Sequence, residues 1–243
     1  MSASNEPSKS QLDRLGYRLR QETIGDDDLR LLDVFRYSYR EPHDLVVDKI
    51  RELNIEPAVR LKTTSSIIAK LRREHVRLTQ IQDIAGCRIV CLNVPTQDSV
   101  VARLEEVFDK TECDDRRTRP SHGYRAVHVI VWLDDKPVEI QVRTSLQHWW
   151  AELSEKFADL IDPAIKYGGG DLETLESLAI ASEEIMKHED HERQWDQIRA
   201  EVAHRSEMSD DIKRTLSDAE ASLRRGRANL VKLMAGMANI PEE

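Results

Sequence analysis

The sequence predicts an α/β fold of the α+β kind, in which a mixed, mainly antiparallel sheet is flanked by helices and followed by a helical C-terminal extension. Two changes of hydrophobic period indicate this fold. Apolar residues recur at helical spacing up to about residue 78, and three short β-branched segments follow between residues 85 and 143. Helical spacing returns after the glycines at 168–170. A chain of 243 residues can bury a core in such a fold.

The N-terminal part of the chain is predicted to be helical after a disordered start. Residues 1–10 are rich in Ser, Asn and Pro, a composition typical of disorder. A first helix is expected over residues 11–24 and a second over 26–54. The second should break at Pro42, because proline biases the preceding residue away from helical dihedrals. A further helix is expected over residues 64–78.

Three segments in the middle of the chain are predicted to be strands. Residues 85–94 and 124–133 are mostly apolar and β-branched, and residues 138–143 alternate between apolar and polar side chains. The turn-forming residues 134–137 should join the last two strands as a hairpin. A short amphipathic helix is expected over residues 100–108.

The C-terminal third is predicted to be helical. Thr144 or Ser145 should cap a helix that runs to about residue 160, and the glycines at 168–170 form a hinge or linker. Two long helices are expected beyond it, over residues 171–206 and 209–238. An apolar stripe on the last helix, close to a heptad repeat, could pack on the core or pair with another copy of the chain. A homo-oligomer formed through these helices is therefore one expectation.

Composition excludes several classes of protein. The net charge of −9 argues against a general duplex-DNA binder, which would carry a basic face. No apolar run approaches the ~20 residues of a membrane helix, and the N-terminus lacks the apolar middle of a secretory signal. A cytoplasmic protein without a membrane partner is expected. The cysteines do not form a disulfide framework, and Cys87 and Cys91 are expected to be small core residues.

The first segment with chemical character surrounds the start of the helix predicted at residue 64. Arg60 and Lys62 precede that start, and Ser66 adds a hydroxyl in the first turn. Lys70 and Arg73 lie on one face of the same helix. A helix N-terminus with flanking cations is suited to phosphates. The alternative is an ordinary capped basic helix.

Two acidic residues are candidates for metal binding or acid–base chemistry. Asp83 enters a buried strand, where a carboxylate needs a cationic partner, and Mg²⁺ or Arg88 could provide it. Glu139, Gln141 and Arg143 point to one face of their strand because side chains alternate with a period of two. The alternative is the solvated face of an antiparallel sheet.

A third group of candidates follows Gly123. Glycine allows the backbone to approach a ligand closely, and Tyr124 could stack on a nucleobase. His128 is expected on the same strand face as Tyr124. The alternative is a Tyr and a His that are satisfied at a sheet edge.

In this order, the segments resemble the synthetase domain of the RelA/SpoT family, the (p)ppGpp alarmone synthetases. The resemblance covers roughly residues 45–168, and its most specific parts are Asp-Ile-Ala-Gly at 83–86 and Glu-Ile-Gln-Val-Arg-Thr at 139–144. It implies a nucleotidyltransferase-like fold. The chain then divides into a helical segment over 1–44, the synthetase-like domain over 45–168 and a helical extension over 171–243.

The resemblance implies an enzyme that moves the β,γ-pyrophosphate of ATP to the 3′-hydroxyl of GTP or GDP, with Mg²⁺ as its cofactor. Asp83 would bind the ion, and Glu139 would join it or act as general base. The residues implied for ATP are Arg60, Lys62, Ser66, Lys70, Arg73 and Arg88. Those implied for the acceptor nucleotide are Tyr124, His128, Gln141, Arg143 and His148.

Two departures from the family pattern flank the expected guanine site. Ala126 stands where the family usually has serine, and His122 stands where it often has asparagine. They bear on the identity of the acceptor more than on the reaction. One alternative is therefore a toxic relative that pyrophosphorylates the 3′ end of tRNA, which would need a basic surface. The residues that could form it are Arg116, Arg117 and Arg119.

A catalytically inactive binding module is a second alternative. Such a module would be expected to lose Asp83 or Glu139, and both are present. The charged run around His188 and Glu189 is expected to be a solvated helix face. The chain should then carry a single activity.

Overall fold

A computed structural model describes residues 7–203 and 209–238 and confirms the predicted fold. The strands are β1 (Ala58–Leu61), β2 (Ala85–Cys91), β3 (Thr111–Asp115), β4 (Val127–Leu133) and β5 (Lys136–Thr144). The helices of the described segments are α1 (Lys9–Arg18), α2 (Asp26–Tyr37), α3 (Arg40–Glu52), α4 (Thr64–Glu74), α5 (Val94–Val107), α6 (Ser145–Leu160), α7 (Leu172–Ala203) and α8 (Asp210–Ala238).

The strands form one mostly antiparallel sheet in the order β1-β2-β5-β4-β3. β1 pairs antiparallel with β2, with Arg60 opposite Gly86 and Leu61 opposite Ala85. β5 is the central strand. Its residues therefore have a neighbouring strand on either side, which suits a strand that carries functional side chains.

A two-residue turn joins β4 and β5 as the predicted hairpin. Asp134 and Asp135 both have positive φ, 47° and 64°, which is the pattern of a type I′ turn. The prediction of a turn over residues 134–137 was too long, because Lys136 and Pro137 already belong to β5. Pro137 is tolerated there because it lies next to the start of the strand.

The sequence analysis missed β1 and β3. All four residues of β1 are exposed, and β3 has the polar sequence Thr-Glu-Cys-Asp-Asp. Both strands lie at the edges of the sheet. Edge strands with exposed side chains lack the apolar alternation from which strands are predicted.

The break in the second predicted helix lies before Pro42, not at it. α2 ends at Tyr37 and α3 begins at Arg40, so Pro42 occupies the first turn of α3. Proline is tolerated in a first turn because the backbone N–H it lacks would have no partner within the helix.

Three other helices also begin or end at residues different from those predicted. Residues 1–6, part of the predicted disordered start, lie outside the described residues, whereas Ser8 caps α1 from Lys9. α4 ends four residues earlier than predicted, where His75 adopts a left-handed conformation with φ 53°. α5 begins six residues early, because the Asn93 side chain accepts a hydrogen bond from the Thr96 amide at 3.0 Å.

The chain divides into two compact units that do not follow the order of the sequence. The first comprises Met1–Ile89, Arg103–Cys113 and His128–Gln141. The second comprises Val90–Ala102, Asp114–Val127 and Val142–Glu243. The division into residues 1–44, 45–168 and 171–243 stays a prediction.

A core of apolar side chains holds the first unit together. Leu15 and Leu19 from the N-terminal region, Leu32 of α2 and Leu71 of α4 are fully buried in one cluster. Cys87 is buried as predicted, and burial raises the pKa of its thiol to about 12. The N-terminal helices are therefore part of the body that supports β2.

The second unit has its core among α6, α7 and α8. Thr144 caps α6, as predicted, by accepting a hydrogen bond from the Gln147 amide at 3.1 Å. Trp150 is buried in this core, whereas the adjacent Trp149 is 42% exposed. Met234 of α8 is buried there as well, so the C-terminal part of α8 packs on this core.

The C-terminal helices follow the prediction closely. α7 runs to Ala203, and the expected continuation to residue 206 lies outside the described residues. Ser209 caps α8, and its hydroxyl accepts from the Ile212 amide at 3.4 Å. No helix in the described ranges is long and apolar enough to cross a membrane.

The prediction of a solvated face at His188 and Glu189 was wrong. Both side chains are buried, at 9% and 4% exposure. His188 pairs with Glu192 at 3.1 Å, and Glu189 accepts hydrogen bonds from Gln147 of α6. Charge runs are usually solvated, but this face of α7 packs against α6 and α8, and its polar residues find partners there.

Candidate functional site

The first unit gathers the two predicted carboxylates and four polar partners into one group, here called the carboxylate cluster. Its members are Lys62, Lys70, Asp83, His128, Glu139 and Gln141. Lys62 follows β1, Lys70 lies on α4 and Asp83 precedes β2, while the other three lie on the neighbouring strands β4 and β5. The antiparallel sheet therefore brings together residues that lie far apart in the sequence.

Asp83 is held between two lysines. Lys62 Nζ lies 2.6 Å from one carboxylate oxygen, and Lys70 Nζ lies 3.0 Å from the other. Burial opposes ionisation of Asp83, but the two ammonium charges outweigh it and lower its pKa below the ordinary value. Asp83 is therefore a carboxylate at neutral pH, accompanied by two cations.

Glu139 is held by its own pair of partners. His128 Nδ1 lies 2.7 Å from one carboxylate oxygen, and Gln141 Nε2 donates to the other at 2.7 Å. Burial alone would raise the pKa of Glu139, but the hydrogen bond and charge of His128 overcome this and lower it to about 2. Glu139 is thus a second ionised carboxylate with a fixed orientation.

The donor set of the carboxylate cluster suits Mg²⁺. Magnesium is usually bound through one or two carboxylates, together with substrate phosphates and waters. Asp83 and Glu139 provide two ionised carboxylates, and the negative charge of Glu139 acts to raise the pKa of Asp83, against the two lysines that lower it. Among the described residues, no group of three or more His, Cys, Asp or Glu side chains could hold a metal without such outside ligands.

Tight backbone packing explains why the Asp-Ile-Ala-Gly segment ends in a glycine, Gly86. It lies in β2, opposite Arg60 of β1, and a Cβ atom there would collide with the backbone carbonyl oxygen of Glu139. His43 of α3 contacts the Gly86 carbonyl oxygen from another direction, at 3.1 Å. The close approach of two backbones thus sets the position of Glu139.

Gly86→Ala should displace Glu139 and destabilise the first unit. Relieving a clash with the backbone requires β2 and β5 to separate, so we expect the free energy of unfolding to fall by about 1–3 kcal/mol. Urea denaturation measures this change. Gly25→Ala is the matched control, because a Cβ atom at Gly25 meets nothing within 4 Å. Equal stabilities of the two variants would contradict this account of Gly86.

The second unit contains the predicted aromatic residue. Arg143 Nη2 donates to the Tyr124 hydroxyl at 3.0 Å, and the guanidinium carbon lies 5.0 Å from the ring centroid. A cavity of about 130 Å³ beside them is lined by Tyr124, Arg143, His122, Ser154 and others. This volume is below the ~300 Å³ of pockets that hold whole small ligands, so the cavity suits part of a ligand, such as a base.

Gly123 shapes the loop that carries Tyr124. It has φ 89°, which favours glycine, and a Cβ atom there would lie 2.6 Å from Trp150 Cζ2. The backbone of this loop therefore lies directly against the indole of α6.

One structural prediction about Tyr124 was wrong. β4 begins at Val127, so Tyr124 lies in the preceding loop and does not share a strand face with His128. Tyr124 follows the left-handed Gly123 and makes an isolated bridge with Ser121 in this loop. His128 and Gln141, expected on the acceptor side, both contact Glu139, and their role toward the acceptor stays a prediction.

The remaining predicted residues lie on β1, β2, α4 and α6. Arg60 is an exposed residue of β1, and Arg88 of β2 lies opposite Ala58 of β1 in the strand register. Ser66 accepts from the Thr63 hydroxyl at 2.8 Å, and Arg73 pairs with Glu74. His148 lies on α6, with its ring 3.7 Å from Glu152. Their proposed binding roles stay predictions.

Arg36 and Ser182 were not predicted from the sequence to bear on the site. Arg36 of α2 donates to the Lys62 carbonyl oxygen at 3.1 Å and to the Thr64 hydroxyl at 2.9 Å, so it fixes the segment that leads into α4. Ser182 of α7 is buried and contacts the Tyr124 loop. Neither lies in a recognisable motif, and only tertiary contacts reveal them.

The central part of the chain is similar to known proteins. Residues 59–158 match the family model described as a region found in RelA and SpoT proteins. Uncharacterized proteins of Mycobacterium tuberculosis and Mycobacterium bovis are 41% identical to this chain over 112 residues, which are 44% of this chain. The matched part spans 41% of the length of those relatives.

Solved structures extend the likeness beyond that segment. Small alarmone synthetase 1 of Bacillus subtilis, bound to its product pppGpp, superposes with a TM-score of 0.57 at 25% identity, over 72% of this chain and 99% of that one. A second structure of the same synthetase gives a TM-score of 0.54 at 26% identity, over 72% and 98%. A GTP pyrophosphokinase family protein of Streptococcus pneumoniae shares the fold, with a TM-score of 0.50 at 24% identity over 79% and 98%.

Proposed function

We propose that this chain, whose residues 59–158 belong to the RelA/SpoT family, is a pyrophosphotransferase that moves the β,γ-pyrophosphate of ATP to the 3′-hydroxyl of GTP or GDP. The observation that carries the proposal is the carboxylate cluster. It combines two ionised carboxylates with two lysines, and transfer of a phosphoryl group from ATP depends on positioning and on neutralising charge.

The reaction forms one bond and breaks one. The 3′-oxygen of the acceptor attacks the β-phosphorus of ATP, the bond between that phosphorus and the α,β-bridging oxygen breaks, and AMP leaves. The 3′-hydroxyl loses its proton, and a carboxylate in reach of it can accept that proton. Lys62 and Lys70 supply positive charge for the phosphate oxygens.

Asp83 and Glu139 are the residues that would hold Mg²⁺. Bound there, the ion would neutralise charge on the phosphate oxygens. Lys62 and Lys70 compensate the charge of Asp83 in the free protein, and both have flexible side chains that can turn to phosphates. His128 and Gln141 keep Glu139 oriented.

For the acceptor base we assign stacking on Tyr124. An aromatic ring can stack on a base, and Arg143 fixes the orientation of this ring through its contact with the hydroxyl. The Bacillus subtilis synthetase in the similar structure is bound to pppGpp, a guanine nucleotide, which supports the same class of product here.

No contact of the described residues favours tRNA as the acceptor. The expected basic surface is largely neutralised, because Arg116 pairs with Asp114 and Arg117 pairs with Asp98 and Asp115. Arg125 is buried. An RNA-binding surface instead needs cations that are available to phosphates.

Transfer of label from ATP tests the proposed function. Purified protein with Mg²⁺ and ATP labelled at the γ-phosphate is offered GDP, GTP, no second nucleotide, or deacylated tRNA. We expect label on GDP or GTP and release of AMP. Label on tRNA alone, or AMP release without a labelled guanine nucleotide, would contradict the proposal. A reaction with EDTA in place of Mg²⁺ is the control and should show no transfer.

A further inference from the structure

A single buried hydroxyl contacts the residues on both sides of Tyr124. Ser182 Oγ donates to the Gly123 carbonyl oxygen at 2.7 Å and accepts from Arg125 Nε at 3.1 Å. Ser182 is 3% exposed. Arg125 also donates to the Arg117 carbonyl oxygen, so its guanidinium is shared between Ser182 and the backbone leading into the loop. The loop is thus tied to α7 through the backbone of Gly123 and the side chain of Arg125.

The same face of α7 fixes the surface on which the loop rests. The Trp150 indole donates from Nε1 to the Leu178 carbonyl oxygen at 2.8 Å. Gly123 packs directly against that indole. Leu178 precedes Ser182 by four residues, so both lie on one side of the helix. α7 therefore holds the loop directly, through Ser182, and indirectly, through the indole.

Two turns further along α7, Glu189 contacts the segment that follows Arg143. It accepts hydrogen bonds from the hydroxyl of Thr144 and from Gln147 Nε2, the latter at 3.0 Å. Leu178, Ser182, Ile185 and Glu189 follow each other at intervals of four, three and four residues, and all are buried. Both polar residues of this stripe therefore contact segments adjacent to the Tyr124–Arg143 pair.

We propose that Ser182 is a positioning residue for the acceptor nucleotide, which it serves by holding the Gly123–Arg125 loop so that Tyr124 presents its ring to the base. The proposal rests on the proposed function for its consequence in catalysis. This proposal assigns α7 a role in acceptor binding. Ser182 would not touch the substrate and acts through Tyr124.

Hydrogen exchange on the free, full-length chain tests the tether without any substrate. Ser182→Ala removes both bonds, so amides in a peptide spanning residues 121–127 should exchange about tenfold faster than in the wild type. Ser177→Ala is the matched control, since residue 177 lies about 140° around α7 from Ser182. Equal exchange in wild type and Ser182→Ala overturns the proposal, as does equal acceleration in the control.

Ser182→Cys is the second variant. It keeps nearly the volume of the side chain while weakening both hydrogen bonds, so it remains informative if the alanine variant is unstable. We expect faster exchange over residues 121–127 than in the wild type. Wild-type exchange in this variant overturns the proposal.

Steady-state kinetics test the consequence for the substrate. In Ser182→Ala, the KM for the guanine acceptor should rise about tenfold while the KM for ATP stays within twofold. In a Tyr124→Ala background, adding Ser182→Ala should change the acceptor KM less than twofold, because Ser182 acts through Tyr124. Equal rises in both KM values, or a full effect in the Tyr124→Ala background, overturn the positioning role.

The two proposals can fail separately. If the wild-type chain transfers no label to a guanine nucleotide, the proposed function fails, and the exchange measurement still decides whether Ser182 holds the loop. If the wild type transfers label and the acceptor KM of Ser182→Ala is unchanged, the positioning role fails and the proposed function stands.

Discussion

Asp83→Asn is expected to lower kcat for pyrophosphate transfer by about a thousandfold or more. Asparagine keeps the shape of the side chain but removes the negative charge with which Asp83 would bind Mg²⁺. Lys62 and Lys70 would lose their common anion, so the electrostatic balance at the phosphates changes as well. The measurement is transfer of labelled pyrophosphate from ATP to GDP at saturating Mg²⁺.

Asp48→Asn is the control for this change. Asp48 is an exposed acid of α3 in the same unit, where it pairs with Arg51 at 3.5 Å, and its loss should leave kcat within twofold. Urea denaturation of Asp83→Asn shows whether the variant is folded. A folded Asp83→Asn protein with more than a tenth of wild-type kcat would contradict the assignment of Asp83.

Glu139→Gln is expected to have an effect of similar size. The amide cannot accept the proton of the 3′-hydroxyl and is a weak ligand for Mg²⁺, so both roles that the family resemblance implies for Glu139 are removed together. The exchange also removes the carboxylate that His128 Nδ1 contacts at 2.7 Å. We expect kcat to fall by about a thousandfold, measured by the same transfer assay.

The pH dependence of stability provides an independent check on Glu139. Its pKa is lowered from 4.5 in the unfolded chain to about 2 in the folded protein, so its stabilising contribution is fully present above pH 4.5. That contribution is lost as the pH falls from 4.5 through about 2. Urea denaturation at pH 6 and pH 3 should therefore show a smaller loss of stability for Glu139→Gln than for the wild type.

Retained transfer activity in both carboxylate variants would overturn the mechanism. A loss in only one of them would assign the chemistry to that residue alone. Glu152→Gln is a control for Glu139→Gln, because Glu152 is about half exposed on α6 and 3.7 Å from His148, a distance at which its contribution is small.

Much of the fold followed from local sequence signals. The hairpin of β4 and β5, the Thr144 cap of α6 and the two C-terminal helices were predicted because they depend on hydrophobic period, turn residues and capping residues close in sequence. The break before α3 was misplaced by a few residues. Propensity disfavours Pro42 within a helix, but the first turn tolerates it, and this position depends on where the helix begins.

Motifs singled out several residues of the candidate site, but not the contacts among them. Asp83, Glu139, Lys62 and Lys70 were singled out from motifs, and the structure brings them into one cluster. The partners of Glu139 were not predicted, because His128 was expected beside Tyr124. The strand begins only at Val127, three residues after Tyr124, so the period of two no longer relates the two side chains.

The sequence by itself determined the fold class, the central strands, most of the helices and the chemical identities in the proposed site, because these follow from local patterns and from motifs along the chain. Only the tertiary structure decided which side chains meet. Gly86 against Glu139 joins residues more than fifty positions apart, and Ser182 against Gly123 does the same. Such contacts depend on how strands pair and how helices pack, and no local pattern encodes them.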